Sequence, residues 1–472
     1  MKKLIALLLS AALLATTALT GATELGTEEQ DAAQQGQNQV VASVLQSNPL
    51  SIEARSWILV SMEEEPIILA ASPGQTAMER MPMASITKIM TLLIAFEKLD
   101  AGEIALTDMV TVSQEAADLA VPGSSNIALT KGEQISVEDL IKGIVIKSGN
   151  DAAQALAEYI SGNATDFVAL MNQRAQELGM VNTQFMNPHG LDTEGHYSCA
   201  RDIAVMSLEL MKHEKVLEYT KMGSTTIRNG TFTIKSTNDF AHGENAYEGA
   251  TGLKTGHTPE AGYCLSATAQ RGNMKLLSVV MGTADAAARD AQTVKLMDYG
   301  FNNFEMAENL GGGVQLEAQT ISGGTVYNLQ PVVEKEGECL IPAGRQGDLQ
   351  QTYDPVKGLK APIQKGDVMG SVIYRLDGQE VARVDAVASQ DVPKMTFGFA
   401  FRKLINMLLM RPAQEETAAQ NSGNAQTSDG VQTSDGAQTS GDAQTSNGAQ
   451  TSGNAQTSDS AQVSGTSQQA AA

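Results

Sequence analysis

The order of the apolar segments most constrains how this chain of 472 residues folds. Two short apolar runs around an acidic triplet at residues 63–65 predict an early β-hairpin. Apolar residues with helical spacing follow at 86–98 and within 130–180, and three strand-like runs lie within 249–283. Because strands at both ends of this stretch enclose the helices, we predict one α+β domain over residues 51–304, an antiparallel sheet flanked by helices.

After this domain the pattern changes to short alternating runs, which are typical of strands. The segments 368–376 and 381–387 flank Asp377-Gly378, a dipeptide that favours a tight hairpin turn. The sequence therefore predicts a small all-β domain over residues 305–393.

The ends of the chain have compositions that do not suit a packed core. Lys2 and Lys3 precede an apolar run too short for a standard transmembrane helix, so residues 1–22 are predicted to be a secretory signal peptide. An uncleaved N-terminal anchor is the alternative. Residues 23–50, rich in Gln, Glu, Ala and Ser, are expected to be a flexible lead-in. Residues 413–472 carry six-residue repeats with one Ala or Val each, which predicts a disordered tail.

Residues 394–412 are predicted to form an amphipathic helix. Helical spacing places Phe397 and Phe401 on one face and Arg402 on the opposite face. Such a helix can lie in a membrane interface, and its central charges make it a poor transmembrane span. We expect an exported protein held on the outer face of the cytoplasmic membrane through residues 394–411. A helix packed on the β domain is the alternative.

Charge and metal-ligating residues exclude several classes of function. A net charge of −22 argues against nucleic-acid binding, which needs a basic surface. The three cysteines, Cys199, Cys264 and Cys339, are odd in number and widely spaced, so buried free thiols are expected. The five histidines form no compact metal motif, and no metal or cofactor is predicted.

The first of three short polar motifs is Ser85-Ile86-Thr87-Lys88, at the start of an apolar helical segment. Side chains at i and i+3 share one face of a helix. A neutral lysine amine one turn away can therefore serve as the base that a serine nucleophile needs. The alternative is a serine that only caps a buried helix.

The second motif, Ser148-Gly149-Asn150, lies between two apolar helical segments. Its hydroxyl and amide could relay a proton and hold a substrate carbonyl. Taken alone, this tripeptide is as typical of a turn that caps a helix.

The third motif, Lys254-Thr255-Gly256, lies on the first of the late strands. A cation and a hydroxyl on an edge strand can hold a carboxylate, and Gly256 would let a substrate backbone approach closely. A second ammonium near Lys88 would also lower the pKa of Lys88.

In this order the motifs are the signature set of penicillin-binding proteins and serine β-lactamases. More narrowly, the chain resembles the low-molecular-mass penicillin-binding proteins that are D-alanyl-D-alanine carboxypeptidases, over roughly residues 50–410. Further matching stretches are Asn187-Pro188-His189-Gly190-Leu191 and His196-Tyr197-Ser198-Cys199-Ala200-Arg201-Asp202. Two features depart from the family pattern: Cys199 stands where Thr is common, and the turn at 63–65 lacks the usual Gly.

The resemblance implies a catalytic role for three residues. Ser85 would attack the carbonyl between the two terminal D-alanines of a peptidoglycan stem peptide, and Lys88 would take its proton. Ser148 would pass a proton to the leaving D-alanine. A β-lactam antibiotic would acylate Ser85 in the same way.

The substrate-binding residues that the resemblance implies are Asn150, Lys254, Thr255, Gly256 and His257. Asn150 would position the substrate amide, while Lys254 and Thr255 would hold the terminal carboxylate. The oxyanion would lie between the backbone N–H groups of Ser85 and His257, a placement that acyl transfer requires.

Three alternatives remain at this stage. A class A serine β-lactamase would carry an E-x-x-L-N loop, which is absent between Asn150 and Lys254. A D,D-endopeptidase that cuts cross-links would share the same motifs. A non-catalytic wall-binding protein would be expected to have lost Lys88 or Lys254.

Overall fold

The computed structural model describes residues 25–47 and 49–409. Its helices are α1 (Leu25–Ser47), α2 (Lys88–Asp100), α3 (Gln114–Asp118), α4 (Val137–Lys147), α5 (Asn150–Ser161), α6 (Ala164–Glu177), α7 (Ala200–Met211), α8 (Val216–Thr220), α9 (Asp239–His242), α10 (Ala286–Asn303) and α11 (Phe397–Leu408). The predicted signal peptide at 1–22 and repeat tail at 413–472 lie outside the described residues.

The first group of strands comprises β1 (Ser56–Ser61), β2 (Ile68–Ala71), β3 (Met109–Thr111), β4 (Gln134–Ser136), β5 (Ser224–Ile227), β6 (Phe232–Lys235), β7 (Ala250–Thr258), β8 (Gly262–Arg271) and β9 (Met274–Thr283). The second group comprises β10 (Phe304–Leu310), β11 (Gln319–Thr320), β12 (Asn328–Leu329), β13 (Pro331–Val332), β14 (Gly337–Pro342), β15 (Gln350–Pro355), β16 (Val368–Leu376) and β17 (Gln379–Ala388).

A five-stranded antiparallel sheet in the order β2-β1-β9-β8-β7 forms the centre of the first region. Side chains alternate along β1, so Ile58 and Val60 enter the core that contains α2 and α4 to α7. Trp57 and Leu59 enter the opposite core, against α10. Burial on both faces explains the continuous apolar run in this strand. The early hairpin and the late strands thus share one sheet, which confirms the predicted α+β architecture.

The second region is built from strands, with one short 3₁₀ turn at Gln346–Asp348 among its described residues. It contains a sheet in the order β13-β17-β16-β15 and the strand pairs β10-β14 and β11-β12. Asp377 and Gly378 connect β16 to β17 with φ of 51° and 81°, the left-handed conformation that a tight hairpin turn requires. The predicted small all-β fold is therefore present after the mixed region.

Helix α1 corrects the expected flexible lead-in at 23–50. Its Val41 and Val44 are buried in the same core as Trp57, on the α10 side of the central sheet. The prediction that this segment is flexible rested on its polar average composition. Because a few apolar side chains at helical spacing dock onto existing cores, tertiary packing stabilises a helix that composition does not indicate.

The same helix also contacts the β domain. Val40 is buried with Leu310 and Val384 in the core of that domain. Gly36 lies so close to the backbone of Glu380 that a Cβ atom would overlap its carbonyl oxygen. Helix α1 is therefore packed against both regions at once.

Helix α11 is amphipathic and has no buried side chain. Phe397 is 86% exposed and Leu408 is 70% exposed. Across the described ranges, the length and apolar character needed to span a bilayer are not combined in any helix.

The contribution of α1 to stability can be measured with Val41→Ala. We expect the free energy of unfolding to fall by about 1–2 kcal/mol, because two methyl groups leave a packed core. Gln46→Ala, at an exposed position of the same helix, should change stability by less than about 0.5 kcal/mol. Urea unfolding measures both values, and equal stabilities of the two variants would contradict the docking of α1.

Candidate active site

Ser85 lies on a 3₁₀ turn, Ala84–Thr87, and α2 begins only at Lys88. The expectation that Ser85 opens the helix is therefore corrected, and Ser85 does not cap it. A 3₁₀ turn aligns side chains at i and i+3. Consequently Lys88 Nζ still lies 2.9 Å from Ser85 Oγ.

Lys88 is completely buried and has three polar neighbours. Its Nζ lies 2.7 Å from Asn150 Oδ1 and 2.5 Å from the backbone oxygen of His189, besides the contact with Ser85 Oγ. Burial, and next the ammonium of Lys254, hold the pKa of Lys88 well below its usual value, although the Asp151 carboxylate opposes this.

A neutral Lys88 amine has two N–H groups and one lone pair. The two carbonyl oxygens, of Asn150 and His189, can accept both N–H groups. The lone pair is then left for the hydroxyl of Ser85, which donates to it. Lys88 is thus arranged as a base for this one hydroxyl.

Ser148 occupies the C-terminal cap of α4 in the left-handed conformation, with φ of 59°. Its Oγ lies 2.8 Å from Lys254 Nζ, which also donates to the backbone oxygen of Thr255 at 2.9 Å. Burial, followed by the nearby guanidinium of Arg289, lowers the pKa of Lys254 to about 7. A hydroxyl and an ammonium therefore form a second proton-transfer pair.

Asn150 is the first residue of α5 and joins Lys88 to a neighbouring loop. Its Nδ2 donates to Ser124 Oγ at 2.9 Å, while its Oδ1 faces Lys88. The buried carboxylate of Asp151 accepts from the backbone N–H groups of Ile127 and Leu129 at 3.1 and 3.0 Å. These bonds hold the loop beside the site. No sequence pattern indicated Ser124 or Asp151, because their partners are distant in the chain.

Gly256 allows strand β7, the edge of the central sheet, to lie against the turn that carries Ser85. A Cβ atom at Gly256 would come within 3.0 Å of the Met83 oxygen and 3.1 Å of Ile86 Cγ1. The structure thus gives this glycine a packing role within the protein, and its predicted role of admitting a substrate backbone stays a prediction. Thr255 Oγ1 lies 3.2 Å from the hydroxyl of Thr237, a third residue that the sequence did not indicate.

His257 is exposed next to this contact, and its ring stacks on Tyr263 with 4.0 Å between centroids. The role predicted for His257 concerns its backbone N–H and stays a prediction.

The buried side chain of His196 stabilises the turn that carries Ser85 through hydrogen bonds. His196 Nδ1 accepts from the N–H of Met186 at 3.0 Å, so its Nε2–H donates to Thr87 Oγ1 at 2.7 Å. Thr87 in turn donates to the oxygen of Ala84 at 2.8 Å. Burial, and then the charge of Lys88, lower the pKa of His196 to about 4, which keeps the ring neutral.

Cys199 stands where the resembled family often has a threonine. It caps the N-terminus of α7, where its Sγ accepts from the N–H of Asp202 at 3.5 Å. Burial raises the pKa of this thiol to about 12. The departure from the family pattern therefore leaves the cap in place. All three cysteines are buried free thiols, as predicted.

The structure thus brings together five of the predicted residues in two hydrogen-bonded groups, Ser85 with Lys88 and Asn150, and Ser148 with Lys254. The charge of Lys254 acts on Lys88, and we call the two groups together the catalytic network. Thr255 and Gly256 lie beside it. In residues 25–47 and 49–409, no three His, Cys, Asp or Glu side chains converge closely enough to hold a metal ion. The arrangement can deprotonate a hydroxyl, bind an anion and donate a proton.

Both regions of the chain are similar to known protein families. The sequence profile of a family described as "D-alanyl-D-alanine carboxypeptidase" matches residues 42–285. A second profile, "Penicillin-binding protein 5, C-terminal domain", matches residues 304–394.

Individual relatives are similar over most of their length. The chain is 36% identical over 355 residues to the D-alanyl-D-alanine carboxypeptidase DacF of Bacillus subtilis (strain 168), which covers 74% of this chain and 89% of that protein. It is also 36% identical to the D-alanyl-D-alanine carboxypeptidase DacA of Haemophilus influenzae, over 73% of this chain and 86% of that protein. The crystal structure of penicillin binding protein 5 from Haemophilus influenzae superimposes with a TM-score of 0.63 at 34% identity, covering 74% of this chain and 99% of that one.

Proposed function

Because the chain belongs to the D-alanyl-D-alanine carboxypeptidase family, we propose that it releases the terminal D-alanine from peptidoglycan stem pentapeptides through an acyl-enzyme at Ser85. One observation carries the choice of nucleophile. Ser85 Oγ lies 2.9 Å from a buried lysine amine whose other neighbours are both hydrogen-bond acceptors.

Acylation begins when the Ser85 hydroxyl gives its proton to Lys88 and its oxygen attacks the carbonyl between the D-alanines. The backbone N–H groups of Ser85 and His257 would receive the oxyanion. This is consistent with the close packing of β7 on the turn of Ser85. Asn150 Nδ2 would position the substrate amide after exchanging its bond with Ser124.

Departure of D-alanine requires a proton at its nitrogen. Ser148 is suited to deliver that proton because its hydroxyl accepts a hydrogen bond from the Lys254 ammonium at 2.8 Å, which can replace the proton it gives up. Lys254 and the Thr255 hydroxyl would hold the terminal carboxylate, which is the chemical feature of a carboxypeptidase substrate. Water then hydrolyses the acyl-enzyme and frees Ser85.

A penicillin would acylate Ser85 by the same attack, with the β-lactam amide in the position of the scissile peptide bond. Support comes from the signature motifs and from the printed name of the similar structure, a penicillin binding protein. The β-lactamase and wall-binding alternatives lose support, because the relatives are named carboxypeptidases and the catalytic network is complete.

Ser85→Ala tests this proposal directly. We expect D-alanine release from a pentapeptide to fall by at least about 10³-fold, and covalent labelling by a fluorescent penicillin to vanish. Ser322→Ala, which changes an exposed serine of the β domain, should retain both D-alanine release and penicillin labelling. A labelled Ser85→Ala variant would overturn the assignment. Wild-type protein that cuts a cross-linked dimer but leaves the pentapeptide intact would indicate an endopeptidase instead.

The two lysines predict a bell-shaped pH dependence of kcat/KM. Activity should fall at low pH, where Lys88 becomes protonated and loses its lone pair. It should also fall as pH rises through about 7, where free Lys254 loses the charge that holds the carboxylate.

Lys254→Arg separates the acidic limb of the pH profile, assigned to Lys88, from the alkaline limb, assigned to Lys254. A guanidinium remains charged at alkaline pH. The alkaline limb should move upward in this variant, even if the maximal rate drops. Lys147→Arg, at an exposed position near the site, should leave the profile unchanged. An unmoved alkaline limb in Lys254→Arg would assign that limb to another group.

We further propose that the protein is exported and rests on the outer face of the cytoplasmic membrane through residues 394–411. The signal-peptide pattern at 1–22 supports export. The exposed apolar residues of α11 support interfacial binding, since soluble proteins rarely leave such side chains uncovered.

Co-sedimentation with vesicles of phosphatidylglycerol and phosphatidylcholine in equal parts tests the attachment. Phe401→Asp should weaken binding by at least about tenfold, because a large apolar side chain no longer enters the acyl boundary. Asn406→Asp adds the same charge on the polar face and should retain most of the binding. Equal effects of both variants would show that charge alone governs the interaction.

A further inference from the structure

A cleft of about 840 Å³ opens away from the catalytic network, between the central sheet, helix α1 and the β domain. Its walls come from the β1–β2 turn, from the segment joining β13 to β14, from β17 and from the side chains of Gln34 and Gln37. In the sequence this turn marks the early hairpin and departs from the family pattern, and neither feature indicates a binding site. None of these residues has a role in the proposed reaction.

The lining of this cleft is strongly acidic. It contains eight carboxylates, three of them from the turn Glu63 to Glu65 and three from alternate residues of the segment 334–338. Among the described residues, two cations, Lys335 and Arg383, line it as well. Arg383 already donates to Glu380 at 3.0 Å. Lys365 lies 3.6 Å from Glu334 and Lys275 acts on Glu63, but the eight lining carboxylates still outnumber all of these cations.

Glu63 shows the effect of this environment on one carboxyl group. Burial, and then the charge of Glu338, raise the pKa of Glu63 to about 7, although Lys275 opposes the shift. The thiol of Cys339 beside it is affected in the same direction by Glu63. A positively charged ligand in the cleft would offset the repulsion between these carboxylates.

Gln34 supplies a second and different observation. Its side chain lines the same cleft and is only 8% exposed, yet its Nε2 has no hydrogen-bond partner. A buried N–H group without an acceptor is costly. A ligand that fits this cleft should therefore carry a hydrogen-bond acceptor as well as positive charge.

The carboxylates are spread along the cleft. Within the described chain, no three acidic, cysteine or histidine side chains meet at one point that would suit a metal ion. An extended ligand with several separate cations matches such a row better than a single ion. A peptide satisfies both requirements, since Lys or Arg side chains bring the charges and the backbone carbonyls accept from Gln34.

We propose that this cleft binds a cationic peptide segment of a partner protein, with its ammonium or guanidinium groups against the 63–65 and 334–338 carboxylates and a backbone carbonyl at Gln34. The site is separate from the catalytic network. Its occupation therefore does not depend on the reaction assigned above.

The probe is an acetylated and amidated lysine tetrapeptide, and spermine serves as a comparison of similar charge without carbonyl groups. Calorimetry on the full chain at low salt should show tetrapeptide binding that weakens as ionic strength rises. Glu336→Gln/Glu338→Gln should weaken it by about tenfold or more. Glu115→Gln/Glu214→Gln removes two exposed carboxylates elsewhere and should have little effect.

Gln34→Met separates the two parts of the proposal. It should weaken binding of the tetrapeptide by about three- to tenfold while leaving spermine binding unchanged, because only the peptide offers an acceptor. If the cleft double variant and the control double variant lose the same tetrapeptide affinity, the assignment of the binding site to this cleft is wrong. Spermine binding as tight as that of the tetrapeptide, together with an unaffected Gln34→Met, would overturn the peptide assignment.

Folding is checked by thermal melting and by D-alanine release, which both double variants should retain. If Glu336→Gln/Glu338→Gln does not fold, Glu64→Gln/Glu65→Gln on the exposed turn serves as the test variant. We expect the same loss of tetrapeptide affinity from it. Retained tetrapeptide affinity in that folded variant would also contradict the proposal.

Discussion

The buried amine of Lys88 is the interaction on which the rest of the catalytic region depends. A lysine without solvent contact is tolerated only where its nitrogen is fully hydrogen-bonded or neutral, since an isolated buried charge is very costly. Here three separate segments meet at one nitrogen: the turn of Ser85, the start of α5 at Asn150 and the backbone at His189. The fold must bring these segments together to bury this side chain.

Much of the surrounding structure can be understood as support for that convergence. The Asp151 carboxylate holds the loop at 127–129 by backbone bonds, and the neutral ring of His196 holds Thr87. Gly256 lets the edge strand reach the same turn. Such supporting contacts position the reacting groups without touching a substrate, which is how preorganised sites restrict side-chain motion.

Away from the site, α1 has a comparable part in joining the two regions. Its valines contribute to the cores on both sides, and the adjoining cleft collects carboxylates from each region. The chain therefore has two distinct polar centres. One is largely buried, holds both lysine amines in hydrogen bonds and is suited to proton transfer, and the other is open, acidic and suited to a cationic partner.

The sequence alone determined the fold class, the order of the elements and the residues of the catalytic motifs, because hydrophobic periodicity and short motifs are local properties. It predicted the pairing of Ser85 with Lys88 for the same reason, since the two are one turn apart. Only the tertiary structure decided that Ser85 precedes the helix and that Gly256 packs against its turn. It likewise revealed Ser124, Asp151 and the His189 carbonyl as partners of the site. Helix α1 escaped prediction because its stability comes from distant cores rather than from its own polar composition. Contacts between segments far apart in the chain leave no periodic signal, and for that reason they had to be read from the folded structure.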